Sequence, residues 1–376
     1  MKIAIDPLFL YTSPYTGISV YTKNIITELL KDKTIKIVLP YFGNNNDELL
    51  VLKRKFSNKN LEIRHIKIPG KLSRLAWAYS TYPKVERYLT DIDLYHAPFW
   101  VIPPIKSIPI VLTVYDIFTF TDPKLFPLFS RWVNNKRIKN VVVDLLAGRN
   151  INLISISQYT KSELIKNYHI SSKKIKTIYL AASGKFNAEA ASAVVKQKYN
   201  LPNHYFLAVG SLNPRKNIEN LIGAFDIFSN SNKDFKLVLL GTQGWKNKRV
   251  LSKIRENSNI LWLGVVPESD LPGIYKAATI FVFPSLCEGF GLPVIESMAC
   301  GTPVITSNTS AMKEVASDAA LLIDPLNKVD IAEKMVRLAS DIILQQDLRY
   351  RGFTISSNYT WGKTIRETVD YYKQIL

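Results

Sequence analysis

Apolar runs of strand length alternate with helical patterns along most of this 376-residue chain. In the first half, the strand-like runs are 2–6, 35–40, 61–67, 93–97, 109–115, 151–156 and 175–180. Alternation of this kind predicts strand–helix–strand units, with a parallel sheet covered by helices on both faces. Ligands of such α/β folds bind at the carboxyl ends of the strands, so functional residues are expected there.

The alternation stops between residues 181 and 203, where small and polar residues replace the apolar runs. We interpret this segment as an interdomain linker with at least one helical turn. A chain of this length is typical of two domains. The predicted domains are therefore 1–185 and 186–355, followed by a helical tail at 356–376.

The segment 281–302, FVFPSLCEGFGLPVIESMACGT, carries the strongest functional signal. It begins as a short apolar strand, passes through a glycine-rich turn and starts a helix near Pro293. A helix that begins directly after a buried strand places its positive end at the edge of the sheet. This edge is therefore a candidate ligand site.

Within that turn, Gly289 and Gly291 allow a ligand to approach the backbone closely because neither carries a Cβ atom. The N–H groups of Phe290, Gly291 and Leu292 are expected to point outward at the positive end of the helix. Such an arrangement favours a bound phosphate.

Two glutamates bracket the turn: Glu288 precedes the glycines, and Glu296 is expected in the first turn of the helix. A carboxylate touching a phosphate would repel it, so both are better suited to accept hydrogen bonds from hydroxyl groups on either side. A sugar on one side and a ribose on the other describe a nucleotide-sugar. The alternative is an ordinary strand–turn–helix whose acidic residues suit the helix dipole.

The Glu-x7-Glu spacing around GFGLP, followed by CGTPV, resembles the signature of retaining GT-B glycosyltransferases of the group 1 (GT4-like) family. The resemblance implies two Rossmann-like domains facing across a cleft, the first binding the acceptor and the second the nucleotide-sugar. It implies that Glu288 contacts the donor sugar and that Glu296 binds the ribose hydroxyls. It also implies that the tail 356–376 crosses back onto the first domain.

The stretch 205–225 resembles the family's second diphosphate element. Lys216 matches the family lysine that pairs with the phosphates. Where the family has an arginine, this chain has Ser211, and we expect Arg215 to replace it because a guanidinium can bind phosphate oxygens bidentately. Arg215, Lys216 and Glu288 are the predicted catalytic residues. The alternative for the two cations is a solvated loop before a helix.

Further donor contacts are implied elsewhere in the chain. Gly17, before a predicted helix at 18–30, resembles the family's glycine loop beneath the diphosphate; a plain strand-to-helix turn is the alternative. The family's His-Asp pair is Tyr115–Asp116 here, and a tyrosine can hydrogen-bond but cannot act as an imidazole. Asp116 either binds a sugar hydroxyl or merely ends a strand. The loop of Val265 resembles the one that recognises the base. The predicted donor-binding set is completed by Ser211, Gly289, Phe290, Gly291, Leu292 and Glu296.

The net charge of +18 is concentrated in the first half of the chain. Residues 1–185 contain 28 Lys+Arg and 13 Asp+Glu, a net of +15, whereas residues 186–376 contain 21 and 18, a net of +3. This excess indicates an anionic partner, either lipid or nucleic acid, unless it is simply a lysine-rich solvated surface.

Two segments in this half, 71–90 and 131–139, mix basic and aromatic residues. In the first, Lys71, Arg74, Trp77 and Tyr79 belong either to a helix at a lipid interface or to a helix whose aromatic face packs on the sheet. The second segment has the same two interpretations.

The sequence shows no metal-ligand spacing, and we expect neither a metal nor another cofactor. Asp91 and Asp93 mimic an Asp-x-Asp motif but lie at a strand start, and the resemblance implies that helix dipoles and Arg/Lys neutralise the diphosphate.

Cys287 and Cys300 are expected as buried thiols in a reducing cytosol. Neither a transmembrane run nor a signal-peptide layout is evident. We expect a cytoplasmic protein with peripheral contact to the inner face of an anionic membrane.

The form GSLNPRKNIENL resembles bacterial mannosyltransferases of surface-polysaccharide assembly, of O-antigen or exopolysaccharide. The resemblance implies transfer of mannose from GDP-mannose, with retention, to a lipid-linked glycan acceptor. UDP-glucose and UDP-N-acetylglucosamine are the alternative donors. A nucleic-acid-binding protein is the alternative from another class, but the interleaved aromatic and basic sheet motifs typical of such proteins are not found, and we expect no nucleic-acid partner.

Overall fold

The computed structural model describes residues 1–13 and 16–376. Within these ranges the chain forms two compact units. The first comprises residues 1–180 together with 361–376, and the second comprises residues 181–360.

The first unit is built on one parallel sheet. Its strands are β1 (Lys2–Ile5), β2 (Lys36–Phe42), β3 (Leu61–Ile66), β4 (Leu94–Ala97), β5 (Ile110–Val114), β6 (Ile151–Ser155) and β7 (Ile175–Thr177). Its helices are α1 (Leu8–Thr12), α2 (Gly17–Leu29), α3 (Asn46–Lys55), α4 (Gly70–Ala76), α5 (Phe118–Thr121), α6 (Leu128–Leu146) and α7 (Gln158–Tyr168), with α16 (Trp361–Ile375) from the end of the chain. The sheet order is β3-β2-β1-β4-β5-β6-β7. The order reverses between β1 and β4, where ligands of such sheets bind.

The second unit repeats this plan with six parallel strands. They are β8 (His204–Val209), β9 (Phe235–Leu240), β10 (Ile260–Gly264), β11 (Ile280–Phe283), β12 (Val304–Ser307) and β13 (Ala320–Ile323). The helices are α8 (Ser192–Lys198), α9 (Ile218–Ser229), α10 (Lys248–Glu256), α11 (Leu271–Ala277), α12 (Leu292–Ala299), α13 (Met312–Ala316), α14 (Lys328–Ser340) and α15 (Ile342–Ser357). The sheet order is β10-β9-β8-β11-β12-β13, so the switch point lies between β8 and β11.

Burial on both faces explains why the strands read as continuous apolar runs. Every residue of β5 and of β11 is buried, as expected for parallel strands sandwiched between helices. The predicted strands of the first half are confirmed to within about two residues, except that the run 175–180 forms only the three-residue strand β7. Apolar burial on both faces thus determines the two cores.

The segment 181–203, predicted to contain at least one helical turn, contains the helix α8. It belongs to the second unit from residue 181 onward. Helix α8 lies against α11 at Gly273, where a Cβ atom would come within 2.6 Å of the Ala191 carbonyl oxygen. The small and polar residues of this segment therefore include a helix, α8, that packs closely against α11.

The closing helix α16 packs in the first unit through a buried polar chain. The hydroxyl of Tyr372 lies 2.6 Å from Nδ1 of His96, and Nε2 of His96 lies 2.8 Å from Oγ1 of Thr113. The hydroxyl of Tyr21 on α2 completes the chain at 3.0 Å from the same Thr113 oxygen. Burial lowers the pKa of His96 to about 3, so this imidazole is neutral and its two nitrogens divide into one donor and one acceptor.

The basic and aromatic segment around α4 divides between core and surface. Trp77 is buried with its ring edge-on to Phe42, at 5.2 Å between centroids, and Arg74 is only 5% exposed. Tyr79 is 49% exposed. The packing interpretation is therefore correct for Trp77 and Arg74, whereas the Tyr79 side chain is exposed at the surface.

We expect Gly273→Ala to destabilise the second unit by about 1–3 kcal/mol, because the added methyl group must push α8 away from α11. The matched control is Gly223→Ala in α9, where the nearest atom to a new Cβ lies 3.5 Å away, at ordinary contact distance. That change should be neutral or stabilise by up to about 1 kcal/mol through helix propensity. Thermal unfolding followed by circular dichroism measures the stability of both variants. A Gly273→Ala variant as stable as the control would show that α8 does not pack against α11 at this position.

Candidate active site

The loops that follow β8 and β11 are joined at the switch point of the second sheet. The Leu286 N–H donates to the carbonyl of Arg215 at 2.9 Å. Asn217, in the left-handed conformation at φ 57°, donates its side-chain amide to the carbonyls of Pro284 at 3.1 Å and Pro325 at 2.6 Å. Asparagine tolerates this backbone conformation better than most residues. Asn217 therefore links the loops that follow β8, β11 and β13.

A compact charge cluster lies on these joined loops. The two carboxylate oxygens of Glu288 each lie 2.6 Å from a cation, one from Lys216 Nζ and the other from an Arg215 guanidinium nitrogen. The same guanidinium donates to the Cys287 carbonyl at 2.8 Å. The Lys216 ammonium also lies 4.4 Å from the centroid of the Phe283 ring. All three predicted catalytic residues are thus brought together.

Burial and charge act in opposite directions on this cluster. Burial alone would raise the pKa of Glu288, but Arg215 and Lys216 outweigh it and hold that pKa at about 2. Burial lowers the pKa of Lys216 despite the attraction of Glu288. With both cations protonated, two positive charges face one negative charge, so the cluster keeps an excess positive charge suited to an anion.

The glycine-rich turn leads from this cluster into α12. Gly291 precedes the helix in the left-handed region at φ 100°, and a Cβ atom there would come within 2.2 Å of the Met312 methyl carbon. Within residues 1–13 and 16–376, no side chain caps the start of α12, and no acceptor takes the amide N–H of Gly291 or Leu292. The Phe290 ring turns inward, edge-on to Tyr359 at 5.5 Å.

The backbone beside Gly289 is fixed by a neighbouring loop. The Glu288 N–H donates to Ser310 Oγ at 2.9 Å, and the Ala311 N–H donates to the Glu288 carbonyl at 3.3 Å. Ser310 was not singled out from the sequence, and its positive φ of 52° is a feature that only the structure reveals. These two hydrogen bonds hold the backbone of Glu288, and with it the start of the glycine-rich turn, against the loop of Ser310.

Glu296 lies in the second turn of α12, which corrects the expected first-turn position. The helix begins at Leu292, one residue before the proline, so the glutamate is its fifth residue. The Tyr275 hydroxyl donates to Glu296 Oε2 at 3.0 Å. Burial raises the pKa of Glu296 to about 7, because the loss of water outweighs the hydrogen bond from Tyr275 and the more distant charge of Lys216.

Ser211 and Val265 lie along the same edge of the sheet. Ser211 Oγ accepts a hydrogen bond from Thr242 Oγ1 at 2.8 Å, and the Gly241 N–H donates to the Gly264 carbonyl at 2.7 Å. Val265 follows directly and is 57% exposed. The predicted residues of the second unit therefore occupy one continuous row of strand ends.

Gly17, Tyr115 and Asp116 belong to the first unit. Gly17 opens α2, and a Cβ atom there would meet nothing within 4 Å. The Tyr115 ring packs edge-on against Tyr21 at 5.8 Å, and its hydroxyl is buried without a partner in the described part of the chain. Asp116 Oδ1 accepts from the Phe118 N–H at 3.2 Å, in the turn that leads into the short helix α5. Their contact with a donor stays a prediction.

The part of the chain that the structure describes contains neither a cluster of metal-ligating side chains nor a helix able to span a membrane. Across residues 1–13 and 16–376, no group of three or more His, Cys, Asp or Glu side chains is placed to hold a metal ion. Asp91 pairs with Lys2 and with Arg64, the latter at 2.6 Å, and Asp93 accepts from the Lys2 N–H at 2.7 Å. In the same ranges every helix is too short or too polar to cross a bilayer.

Comparison with known proteins places similarity in both units. Residues 192–354 match the family described as "Glycosyl transferases group 1", and residues 15–182 match "Glycosyltransferase Family 4". The Escherichia coli "O-antigen chain mannosyltransferase B" is 32% identical over 309 residues, covering 80% of this chain and 77% of that protein. The Salmonella typhimurium "O-antigen chain mannosyltransferase RfbU" is 29% identical over 222 residues, covering 57% of this chain and 56% of that protein.

A solved structure supports the fold. Anabaena HepE, crystallised in complex with UDP-glucose, superposes with a TM-score of 0.77 at 17% identity and covers 100% of both chains. At this identity the likeness shows the fold alone. The GT-B fold class predicted from the sequence, with two Rossmann-like parallel-sheet domains, is confirmed.

The raised pKa of Glu296 should make the protein less stable as the pH rises. The folded-state pKa of about 7 lies above the ordinary value of 4.5, so between these values the folded chain holds a proton that the unfolded chain has lost. This contribution is present in full below pH 4.5 and is lost as the pH rises through 7. We expect Glu296→Gln to match the parent at pH 5 and to exceed its stability by about 1–3 kcal/mol at pH 8.

Thermal unfolding at the two pH values measures this difference. The control is Glu333→Gln, which removes an exposed carboxylate from α14 and should change stability little at either pH. A Glu296→Gln effect of equal size at both pH values would show that the carboxyl group is not held protonated.

Proposed function

Because the chain belongs to the group 1 glycosyltransferases, we propose that it transfers a hexose from a nucleotide-sugar to a glycan acceptor with retention of the anomeric configuration. The supporting observation is the cluster of Glu288, Lys216 and Arg215 at two strand ends, directly before the uncapped start of α12. Cations and a helix N-terminus together suit a diphosphate. The carboxylate between them suits a sugar hydroxyl.

In the proposed reaction, the bond between C1 of the donor sugar and the diphosphate oxygen breaks. The acceptor hydroxyl oxygen forms the new bond to C1, and its proton passes to the departing phosphate oxygen. Negative charge grows on the diphosphate as it leaves, and Arg215, Lys216 and the amides of Gly291 and Leu292 stabilise it. Such preorganised donors contribute most where water is excluded. Because these groups supply the counter-charge, the proposal needs no metal ion.

The ion pairs of Glu288 support a positioning role for this carboxylate. Both of its oxygens are held by cations at 2.6 Å, which makes it a poor nucleophile towards the donor. We therefore favour a front-face route, in which the acceptor hydroxyl enters beside the departing phosphate. Glu288 then accepts hydrogen bonds from the donor sugar.

Glu296 is proposed to bind the ribose hydroxyls. Its carboxyl group is held by the Tyr275 hydroxyl at 3.0 Å and lies one turn into the helix whose N-terminus faces the diphosphate. Two ribose hydroxyls donate hydrogen bonds best to an ionised carboxylate, so nucleotide binding should favour loss of its proton.

The donor is proposed to be GDP-mannose and the acceptor a lipid-linked glycan of O-antigen or exopolysaccharide synthesis. This proposal is supported by the names of two relatives, both O-antigen chain mannosyltransferases. The bound UDP-glucose of HepE supports the alternative of a UDP-glucose or UDP-N-acetylglucosamine donor. The charge of +15 in residues 1–185 supports peripheral contact with the anionic inner face of the cytoplasmic membrane.

The proposed donor predicts selective stabilisation by guanine nucleotides. GDP and GDP-mannose should raise the unfolding temperature more than UDP, ADP or UDP-sugars at equal concentration, because ligands that bind only the folded state stabilise it in proportion to affinity. Differential scanning fluorimetry across these nucleotides measures the ranking. Stabilisation by uridine nucleotides alone would replace GDP-mannose with a UDP-sugar, and no stabilisation by any nucleotide would contradict the donor site itself.

Lys216→Ala should lower kcat by about 10²- to 10³-fold, because one of the two cations that stabilise the leaving diphosphate is removed. The control is Lys248→Ala, which deletes an exposed lysine of α10 in the same unit and should leave turnover unchanged. Transfer of radiolabelled mannose to a lipid-linked acceptor, measured in the presence of EDTA, tests both variants. Parent-like turnover of Lys216→Ala would remove this residue from the site, and loss of the parent's activity in EDTA would contradict the metal-free mechanism.

A further inference from the structure

The first unit contains a cavity of about 490 Å³ that the proposed chemistry does not use. It lies between α6, the segment after α4 and the loop that follows β4. Its walls carry five cationic side chains and two carboxylates, with Trp77, Tyr79 and Trp100 as aromatic walls. The cationic residues are Arg74, Lys84, Lys106, Arg137 and Arg149. Such an excess of positive charge around a cavity is expected to attract an anion.

Both carboxylates of the cavity already have partners. Glu86 Oε1 accepts from the N–H groups of Lys106 at 2.9 Å and Ser107 at 2.6 Å. Asp144 forms an ion pair with Arg149. In the part of the chain that the structure describes, no carboxylate pairs with Arg137 or Lys84. The charge of these two residues is therefore unbalanced.

Two guanidinium groups of the cavity also have unused donors. Arg74 is 5% exposed and pairs with Asp6 at 3.3 Å, yet its Nε–H is buried and finds no acceptor among residues 1–13 and 16–376. In the same ranges, the Nε–H of Arg149 is also buried without an acceptor. The pKa of Arg137 is lowered by burial and by the nearby charge of Arg74. Unsatisfied buried donors on cations are destabilising unless an anion completes them. Guanidinium groups match the oxygens of a phosphate in particular.

An exposed apolar surface begins at the rim of the same cavity. Tyr79, which lines the cavity, packs on Trp132 of α6 with ring centroids 5.4 Å apart. The Lys136 ammonium lies 5.8 Å from the centroid of the Tyr79 ring, and Phe129 lies 6.5 Å from Trp132. The aromatic rim therefore carries a positive charge of its own.

The exposed face of α6 extends this surface in both directions. Its residues recur every three or four positions, which places them on one side of the helix. Five apolar side chains on this side of α6 are each at least 59% exposed, and they lie on either side of the exposed Lys136 and Lys139. They are Leu128, Phe129, Trp132, Val143 and Leu146. Large apolar side chains exposed together mark an interaction surface.

We propose that this cavity binds the phosphate headgroup of an anionic lipid, while the rim formed by Tyr79, Trp132 and the outer face of α6 enters the membrane interface. Aromatic rings, aliphatic side chains and lysines on one helix face suit the boundary between headgroups and acyl chains. A nucleic-acid strand would use the charges and the rings but not the aliphatic side chains. The inference rests on the membrane contact proposed above and assigns it to particular residues.

Co-sedimentation of the full chain with vesicles tests the proposal. Vesicles of equal parts phosphatidylglycerol and phosphatidylcholine should retain the protein, and vesicles of phosphatidylcholine alone should not. Arg137→Gln should lower the partition coefficient about fivefold, and Lys84→Gln should lower it in the same direction. The control Lys166→Gln removes an exposed charge from α7, away from the cavity, and should change it by less than about twofold.

Folding of the variants is not expected to limit the test. Arg137 makes one hydrogen bond in the described ranges, to the Arg74 carbonyl at 3.4 Å, and Lys84 is exposed. The proposal is overturned if Arg137→Gln and Lys84→Gln bind the mixed vesicles like the parent, or if neutral vesicles bind equally well. It is also overturned if only soluble glycerol phosphate, or only single-stranded RNA, binds in an Arg137-dependent way.

This experiment is independent of glycosyl transfer. It contains no donor sugar, and the Lys216→Ala variant should bind the mixed vesicles like the parent because Lys216 belongs to the second unit. Failure of vesicle binding therefore contradicts the lipid site alone, whereas failure of nucleotide binding contradicts the donor site alone.

Discussion

The ion pairs of Glu288 with Lys216 and Arg215 are the interaction on which the candidate site depends. A buried carboxylate without partners would lose several kcal/mol of hydration, so its presence at 8% exposure requires both cations. The pairs join two loops that are 72 residues apart in the chain. They hold the strand ends of β8 and β11 together at the point where the sheet order reverses. The ion pairs of the candidate site therefore also help to hold these two loops of the unit together.

The same sheet geometry places chemistry at strand ends in both units. In the second unit, close approaches at Gly210, Gly241 and Gly291 allow the loops to lie against one another. In the first unit, the buried pair of Asp6 and Arg74 lies at the end of β1, directly beside the switch to β4. Parallel sheets gather polar residues at one edge because their interiors accept only apolar side chains.

The two units nevertheless differ in charge and in what they expose. The second unit is nearly neutral and pairs two of its cations, Arg215 and Lys216, with Glu288, whereas the first unit carries most of the excess charge. The first unit also holds the cavity with unused guanidinium donors and the apolar face of α6. The two proposals made above follow this difference: nucleotide binding is proposed for the second unit, and contact with an anionic lipid is proposed for the first.

The sequence by itself determined the α/β class, the strands, the central turn and the identity of the charged residues around it. These follow from local periodicity and from turn chemistry, which depend on neighbours in the chain. Only the tertiary structure decided that Glu288 pairs with Lys216, that the Tyr275 hydroxyl donates to Glu296 and that the Tyr115 hydroxyl is buried. It also decided that α8 packs against α11 and that Arg74, Arg137 and Arg149 share a cavity. Those outcomes depend on strand order and burial, which bring together residues far apart in the chain and which no local pattern encodes.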